Sequence, residues 1–303
     1  MRLSTTTTIL SAADPVPPEK TVFKAMELCR EAGFRHLDMN FGTQGREGYP
    51  LASDGWLAWV EEVQRRAEQM HVTFYQAHSF FYRTKESTNL TIDRPWYEER
   101  FRRSIIAAEM LGVRWLVMHP ADFDADETYD FEKARRFNIE YWSPFVELAL
   151  RHNVGFAFEN MFQSGHHARY CSQVDELIDL VDAFHDSRVG VCWDTGHAFV
   201  ARQNQPEAIR KLGKRLKATH IHDNHGQPKG DEHLMPYYGL LNWEEILQAL
   251  GEIGYENNFS FELKHATQSL PPRLCLNMLR FMHSLGGEMV EYAQACAGEL
   301  VAG

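Results

Sequence analysis

The sequence predicts an α/β chain folded as one closed (β/α)8 barrel, and three observations carry that prediction. Strand-like and helix-like segments alternate eight times with no antiparallel hairpin signal. Most of the strand-like segments are short apolar or β-branched runs, as expected of strands buried on both faces. Five of them run directly into a carboxylate or an imidazole: His119, Glu159, Asp194, His220 and Glu262. The rival, an open doubly wound sheet, usually has fewer strands and a glycine-rich first turn. No G-x-G-x-x-G follows the first strand here. In a barrel the C-terminal strand ends converge on one mouth.

The elements follow in order. The first strand is expected over residues 5–10, with an amphipathic helix within 18–32. The second strand covers 36–40 and its helix 57–70. The third pair is 72–77 with 95–111, and the fourth is 115–118 with 131–152. Residues 155–158 and 171–184 make the fifth, and 189–193 and 205–212 the sixth. Residues 218–221 precede a helix over 243–253. Ser260 and Phe261 lie in the eighth strand, and 272–284 with the tail supplies the last helices.

Composition agrees with one soluble domain. The 303 residues are 44% hydrophobic and 24% charged, with no linker-like or low-complexity tract. A net charge of −11, from 31 basic and 42 acidic residues, argues against a broad nucleic-acid or anionic-membrane surface. The five cysteines form no CxxC pair, which suits reduced thiols in a cytoplasmic protein. There is no secretory h-region and no apolar stretch of membrane-spanning length.

The strongest local signal is Trp193-Asp194-Thr195-Gly196-His197, where one turn presents an oxygen and a nitrogen ligand together. In His220-Ile221-His222-Asp223-Asn224, strand alternation sends both imidazoles to one face, and Asp223 is placed to orient an imidazole from behind. Asp231-Glu232-His233 is a short D-x-H cluster in a loop. Glu159 and Glu262 are isolated acids whose burial is costly without a partner. A metal relieves that cost, and Lys264 is a candidate ion-pair partner. His78 and His119 complete the set. Singly, each of these residues is as well explained by hydrogen bonding in a core or loop; it is the ensemble at the strand ends that points to one site. The donors are nitrogen and oxygen with no thiolate, which suits one to three ions of Zn²⁺, Mn²⁺, Co²⁺ or Mg²⁺. Two carboxylates on one metal also serve as acid and base. His166, His167, His225 and His265 read as loop or surface residues.

These motifs, together with Phe158-Glu159-Asn160 and Phe261-Glu262, resemble the xylose isomerase-like TIM-barrel superfamily over most of the chain. The superfamily holds sugar and sugar-phosphate isomerases and epimerases, inosose and dehydroshikimate dehydratases, and endonuclease IV-type AP endonucleases. In the isomerase branch the resemblance implies a metal site of Glu159, Asp194, His220 and Glu262. It also implies that the two glutamates transfer protons beside a carbonyl the metal polarises. Our own expectation on that reading is that His197 binds or polarises a substrate oxygen and that Trp193 and Trp115 flank the substrate. In the endonuclease branch it implies further zinc ligands at His78, His119, His197, Asp231 and His233. Relatives commonly follow the D-x-H segment with Pro-Gly-x-Gly. Here Pro236-Tyr237-Tyr238-Gly239 stands instead, and two tyrosines are expected to reshape the mouth.

The leading expectation is therefore a metal-dependent isomerase or epimerase of a small carbohydrate, a sugar or a sugar phosphate, with a dehydratase as a close neighbour and homo-oligomers common among relatives. The second is a multi-zinc phosphodiesterase. The acidic balance and the few basic residues near the mouth (Arg83, Lys85, Arg94 and Lys229) weigh against the nucleic acid it would need. A purely structural metal or a sugar binder comes last.

Overall fold

The computed structural model describes residues 1–13, 15–82, 93–123, 128–162, 169–227 and 230–302. Eight strands are arranged as one parallel sheet: β1 (Arg2–Thr6), β2 (His36–Asn40), β3 (Thr73–His78), β4 (Trp115–Met118), β5 (Gly155–Glu159), β6 (Val189–Asp194), β7 (Leu216–His220) and β8 (Asn258–Phe261). Neighbours in sequence are neighbours in the sheet, and β1 pairs with β8. The ring closes through Ile221, whose N–H donates to Ser260 O at 2.8 Å and whose carbonyl accepts from Glu262 N at 3.2 Å. The fold expected from the strand–helix alternation is the fold observed.

Local chemistry explains the helix starts. Asp93, Asp130, Asn204 and Asn242 each accept a hydrogen bond from the backbone N–H three residues on, and Pro95 and Pro206 sit in first turns where no N–H is needed. Several expected boundaries moved: the first strand begins at Arg2 rather than Thr5, the seventh at Leu216 rather than Ala218, and the helix expected over 171–184 is Val174–Asp182. The first strand ends at Thr6 rather than Leu10, because the chain leaves the sheet to line the mouth with Thr7, Thr8 and Leu10. The last helix runs from Pro272 to Ala302, well past residue 284. A short helix, Thr195–Val200, follows β6 directly and was not expected.

Strand alternation then sorts the side chains. On β5, Phe156 and Phe158 face outward into the main core with Trp142 and Phe101, while Ala157 joins a small inner cluster with Trp115, Val117, Cys192 and Ala218. The inward series on each strand continues upward. It runs from Ala157 to Glu159, from Cys192 to Asp194, from Ala218 to His220, from Val117 to His119, and from Ser260 to Glu262. Phase, not position alone, delivers these five residues to one mouth. No helix among the described residues is long and apolar enough to cross a membrane.

Candidate metal centre and active site

Glu159 is 1% exposed at the end of β5, and imidazoles surround it. Its Oε1 lies 3.0 Å from His220 Nδ1, and its Oε2 lies 3.1 Å from His119 Nε2 and 3.4 Å from His78 Nε2. His220 Nδ1 is also 3.6 Å from Glu262 Oε2. Asp194 is fully buried and does two things. Its Oδ1 accepts from His197 N at 2.7 Å, capping the short helix, and its carboxylate meets His222 Nε2 at 3.0 Å. Asn160 joins the two strand ends, accepting from Asp194 N at 2.6 Å and donating to Asp194 O at 2.9 Å. On the loop after β7, Asp231 Oδ2 lies 2.7 Å from His233 Nε2 and 3.8 Å from His197 Nε2.

Three imidazoles are oriented alike. His78, His197 and His233 each donate Nδ1–H to a backbone carbonyl, of Ser79, Asn160 and Glu262 respectively, at 2.8–2.9 Å. That leaves each Nε2 toward the site, the arrangement in which a metal-binding histidine is held. His78 Nε2 and His119 Nε2 face each other at 3.1 Å, a contact between like atoms that requires a shared proton or a cation. Glu159 Oε2 and Asp231 Oδ1 are buried without a hydrogen bond of normal geometry. The donor set therefore fits a divalent cation. Ligand-capable atoms of Glu159, Asp194, His220 and Glu262 lie within 4.8 Å of one another, as do those of His78, His119 and Glu159, and those of His222, His233 and Glu262.

Electrostatics points the same way. Burial opposes the charge on Glu159, but His220 and His119 outweigh it and hold its carboxyl well below the usual range. Burial likewise opposes protonation of His197, yet Asp194, Asp231 and Glu159 raise it to about 10. His220 is pushed well above its ordinary value against burial, by Cys192, Glu159 and Glu262. The site is built to hold positive charge.

All nine sequence candidates converge here. His78, His119, Glu159, His197, Asp231, His233 and Glu262 line a cavity of about 720 Å³, and Asp194 and His220 are buried against them. Other expectations need correction. Trp193 precedes Asp194 on β6 and so faces the opposite way, fully buried in the outer core with its Nε1 donating to Gln205. Trp115 belongs to the inner cluster at the start of β4. The aromatic walls are instead Tyr49, Phe81, Tyr82 and Phe162. Asp223 orients no imidazole. It accepts from the N–H groups of Asn224, Tyr237 and Leu241 and from Trp243 Nε1, which pins the following loop. Tyr237 and Tyr238, 51% and 65% exposed, point to solvent rather than into the mouth. Arg83, Lys85, Lys229, His166 and His167, with the side chain of Lys264, lie outside the described residues. His225 is exposed and pairs with Glu232.

One residue was expected on this face without a role, and another was not expected at all. His222 packs on Asp194 and stacks on His233 with ring centroids 4.2 Å apart. Asp38, mid-strand on β2, lies 3.3 Å from His220 Nε2 and is itself held by Gln76 and Ser260. It fills the orienting role expected of Asp223. The available signal was a lone acid in the middle of an otherwise buried strand.

A model of the xylose isomerase-like TIM barrel matches residues 26–285, and the chain belongs to that family. The protein y4fM of Sinorhizobium fredii is 25% identical over 78% of this chain and 79% of its own. A D-psicose 3-epimerase of Enterocloster bolteae is 38% identical over 27% of this chain and 25% of its own. A probable endonuclease 4 of Mesomycoplasma hyopneumoniae is 30% identical over 45% of this chain and 50% of its own. Among solved structures, an L-ribulose 3-epimerase superimposes with a TM-score of 0.75 at 14% identity, covering 100% of this chain and 98% of that one. The IolI protein with a bound zinc atom gives 0.72 at 16% identity, covering 96% and 98%. At these identities the solved structures share the fold.

Proposed function

We propose that the protein is a metal-dependent isomerase or epimerase of a sugar or related polyol. One observation carries the reading: two glutamates, Glu159 and Glu262, flank a single imidazole at 3.0 and 3.6 Å and both border the same cavity. Glu159, Asp194, His220 and Glu262 would hold a divalent cation, and its positive charge would supply the polarisation of a substrate carbonyl. One glutamate takes the proton from the carbon beside that carbonyl, and its partner returns it. His197, with Nδ1 tied to Asn160, offers Nε2 to a substrate oxygen. The hydroxyls and amides of Thr7, Thr8, Asn40, Gln44 and Gln268 along the wall suit a polyol. The names of the D-psicose and L-ribulose 3-epimerases support the same class.

The test is solvent deuterium uptake into a panel of ketoses. Uptake is expected with the wild type and should fall by about 10³-fold or more in Glu159→Gln and in Glu262→Gln. Wild-type exchange in either variant sinks the proposal.

A second reading rests on the paired rings beyond the central four ligands, His78 with His119 and His222 with His233. It is a multi-zinc phosphodiesterase, in line with the endonuclease 4 relative. Elemental analysis of protein purified without chelator separates the two. About one metal per chain favours the isomerase, and two to three zinc ions favour hydrolysis.

A further inference from the structure

Arg169 takes no part in the chemistry above. It is 5% exposed, yet it borders the same cavity as His119, Glu159 and His197. Its Nε donates to Oδ2 of the equally buried Asp122 at 2.7 Å. Its guanidinium carbon lies 4.9 Å from the centroid of the Phe162 ring, and that ring lies 5.0 Å from the imidazole of His197. Cation and imidazole thus flank one phenyl group. A guanidinium carries five N–H donors in a planar fork. Asp122 engages one of them, and no described residue accepts from the others. Arg46, the other described cation bordering the cavity, is exposed.

We propose that Arg169 anchors an oxyanion on the substrate, so that the sugar or polyol taken here carries a phosphate or a carboxylate. The fork matches either group. Asp122 fixes its orientation, and Phe162 lies against it. The inference rests on the isomerase reading only for the chemistry at the other end of the substrate.

The experiment is calorimetric titration of metal-loaded protein with D-fructose, D-fructose 6-phosphate and D-galacturonate. At least one acidic probe should bind the wild type about tenfold or more tightly than fructose, and whichever gains identifies the anion. Arg169→Gln should erase that advantage and leave the fructose affinity unchanged. Because this variant takes the guanidinium away from the buried Asp122 carboxylate, the double variant Arg169→Gln/Asp122→Asn is measured beside it, with the same expectation. Equal or absent binding of neutral and acidic probes by the wild type, or an advantage retained in both variants, overturns the anchor. The retained advantage is what an anion bound only by the metal would give. Deuterium uptake separates the two proposals. Binding that depends on Arg169 without any exchange sinks the isomerase and keeps the anchor. Exchange into fructose unaffected by Arg169→Gln, with no acidic advantage, does the reverse.

Discussion

A carboxylate almost wholly removed from water, with three imidazoles within 3.4 Å, has its charge set by those rings rather than by solvent. The consequence is a pH dependence with a definite sign. His197 is held at about 10 against an ordinary 6.5, by Asp194, Asp231 and Glu159 acting against burial. In the metal-free protein this raised value stabilises the fold fully below about 6.5, and the contribution is lost as pH rises through about 10. A metal needs the unprotonated rings. Binding at pH 7 should therefore release protons, and metal affinity should climb with pH toward 10. Calorimetry in buffers of different ionisation enthalpy checks this, since a heat independent of buffer means the rings were already neutral. Asp38→Asn should weaken metal binding by about 10–100-fold without removing a ligand, because it loosens His220. Chelator competition measures it, and wild-type affinity would leave Asp38 as a core residue only.

At the scale of elements, the turns after β6 and β7 are where local preference and site geometry collide. Gly196 sits in the short helix Thr195–Val200, where alanine is preferred by about 1 kcal/mol. A Cβ there would stand 1.9 Å from His222 Cε1, so Gly196→Ala must displace the ring that holds Asp194. Overpacking of this kind costs about 1–3 kcal/mol and wins. A lowered melting temperature with reduced metal content is expected, and no change in either would show that His222 swings aside freely. Tyr237 has φ 71°, in the left-handed region that favours glycine. Its half-exposed ring lies away from the mouth against Trp243, with centroids 6.3 Å apart, so Tyr237→Gly should leave the site intact, and the relieved backbone should raise stability by up to about 1 kcal/mol, offset by the lost ring contact and read by denaturant melts.

Across the whole molecule, a bound metal would be linked to the fold. The candidate ligands come from β3, β5, β6 and β7, from the residue after β8 and from the segments that follow β4, β6 and β7, so an ion there would tie together segments from residue 78 to residue 262. At a free concentration 100 times its Kd, a metal should stabilise the chain by about 2.7 kcal/mol. Adding chelator should lower the melting temperature by several degrees in the wild type. It should lower it much less in a Glu159→Gln/Asp194→Asn double variant, and an equal drop in both would place the stabilising ion elsewhere.

Read alone, the sequence determined the strand–helix alternation, the barrel and the nine residues at its mouth. A strand end is a local feature, and in a parallel barrel local strand ends become neighbours by symmetry. It could not determine which way a side chain turns from one strand to the next. Trp193 adjoins Asp194 in the chain but faces the outer core, because side chains alternate with a period of two. Nor could it pair residues far apart in the chain. Asp38 reaches His220, His222 reaches Asp194, and Arg169 meets Asp122 only once the ring is closed. Asp223, beside two histidines in the chain, was drawn instead by three donors from its own loop and one, Trp243 Nε1, from the helix that follows. Those partnerships depend on how strands and loops stack in three dimensions, and a buried polar group takes whichever partner that packing brings within hydrogen-bonding distance.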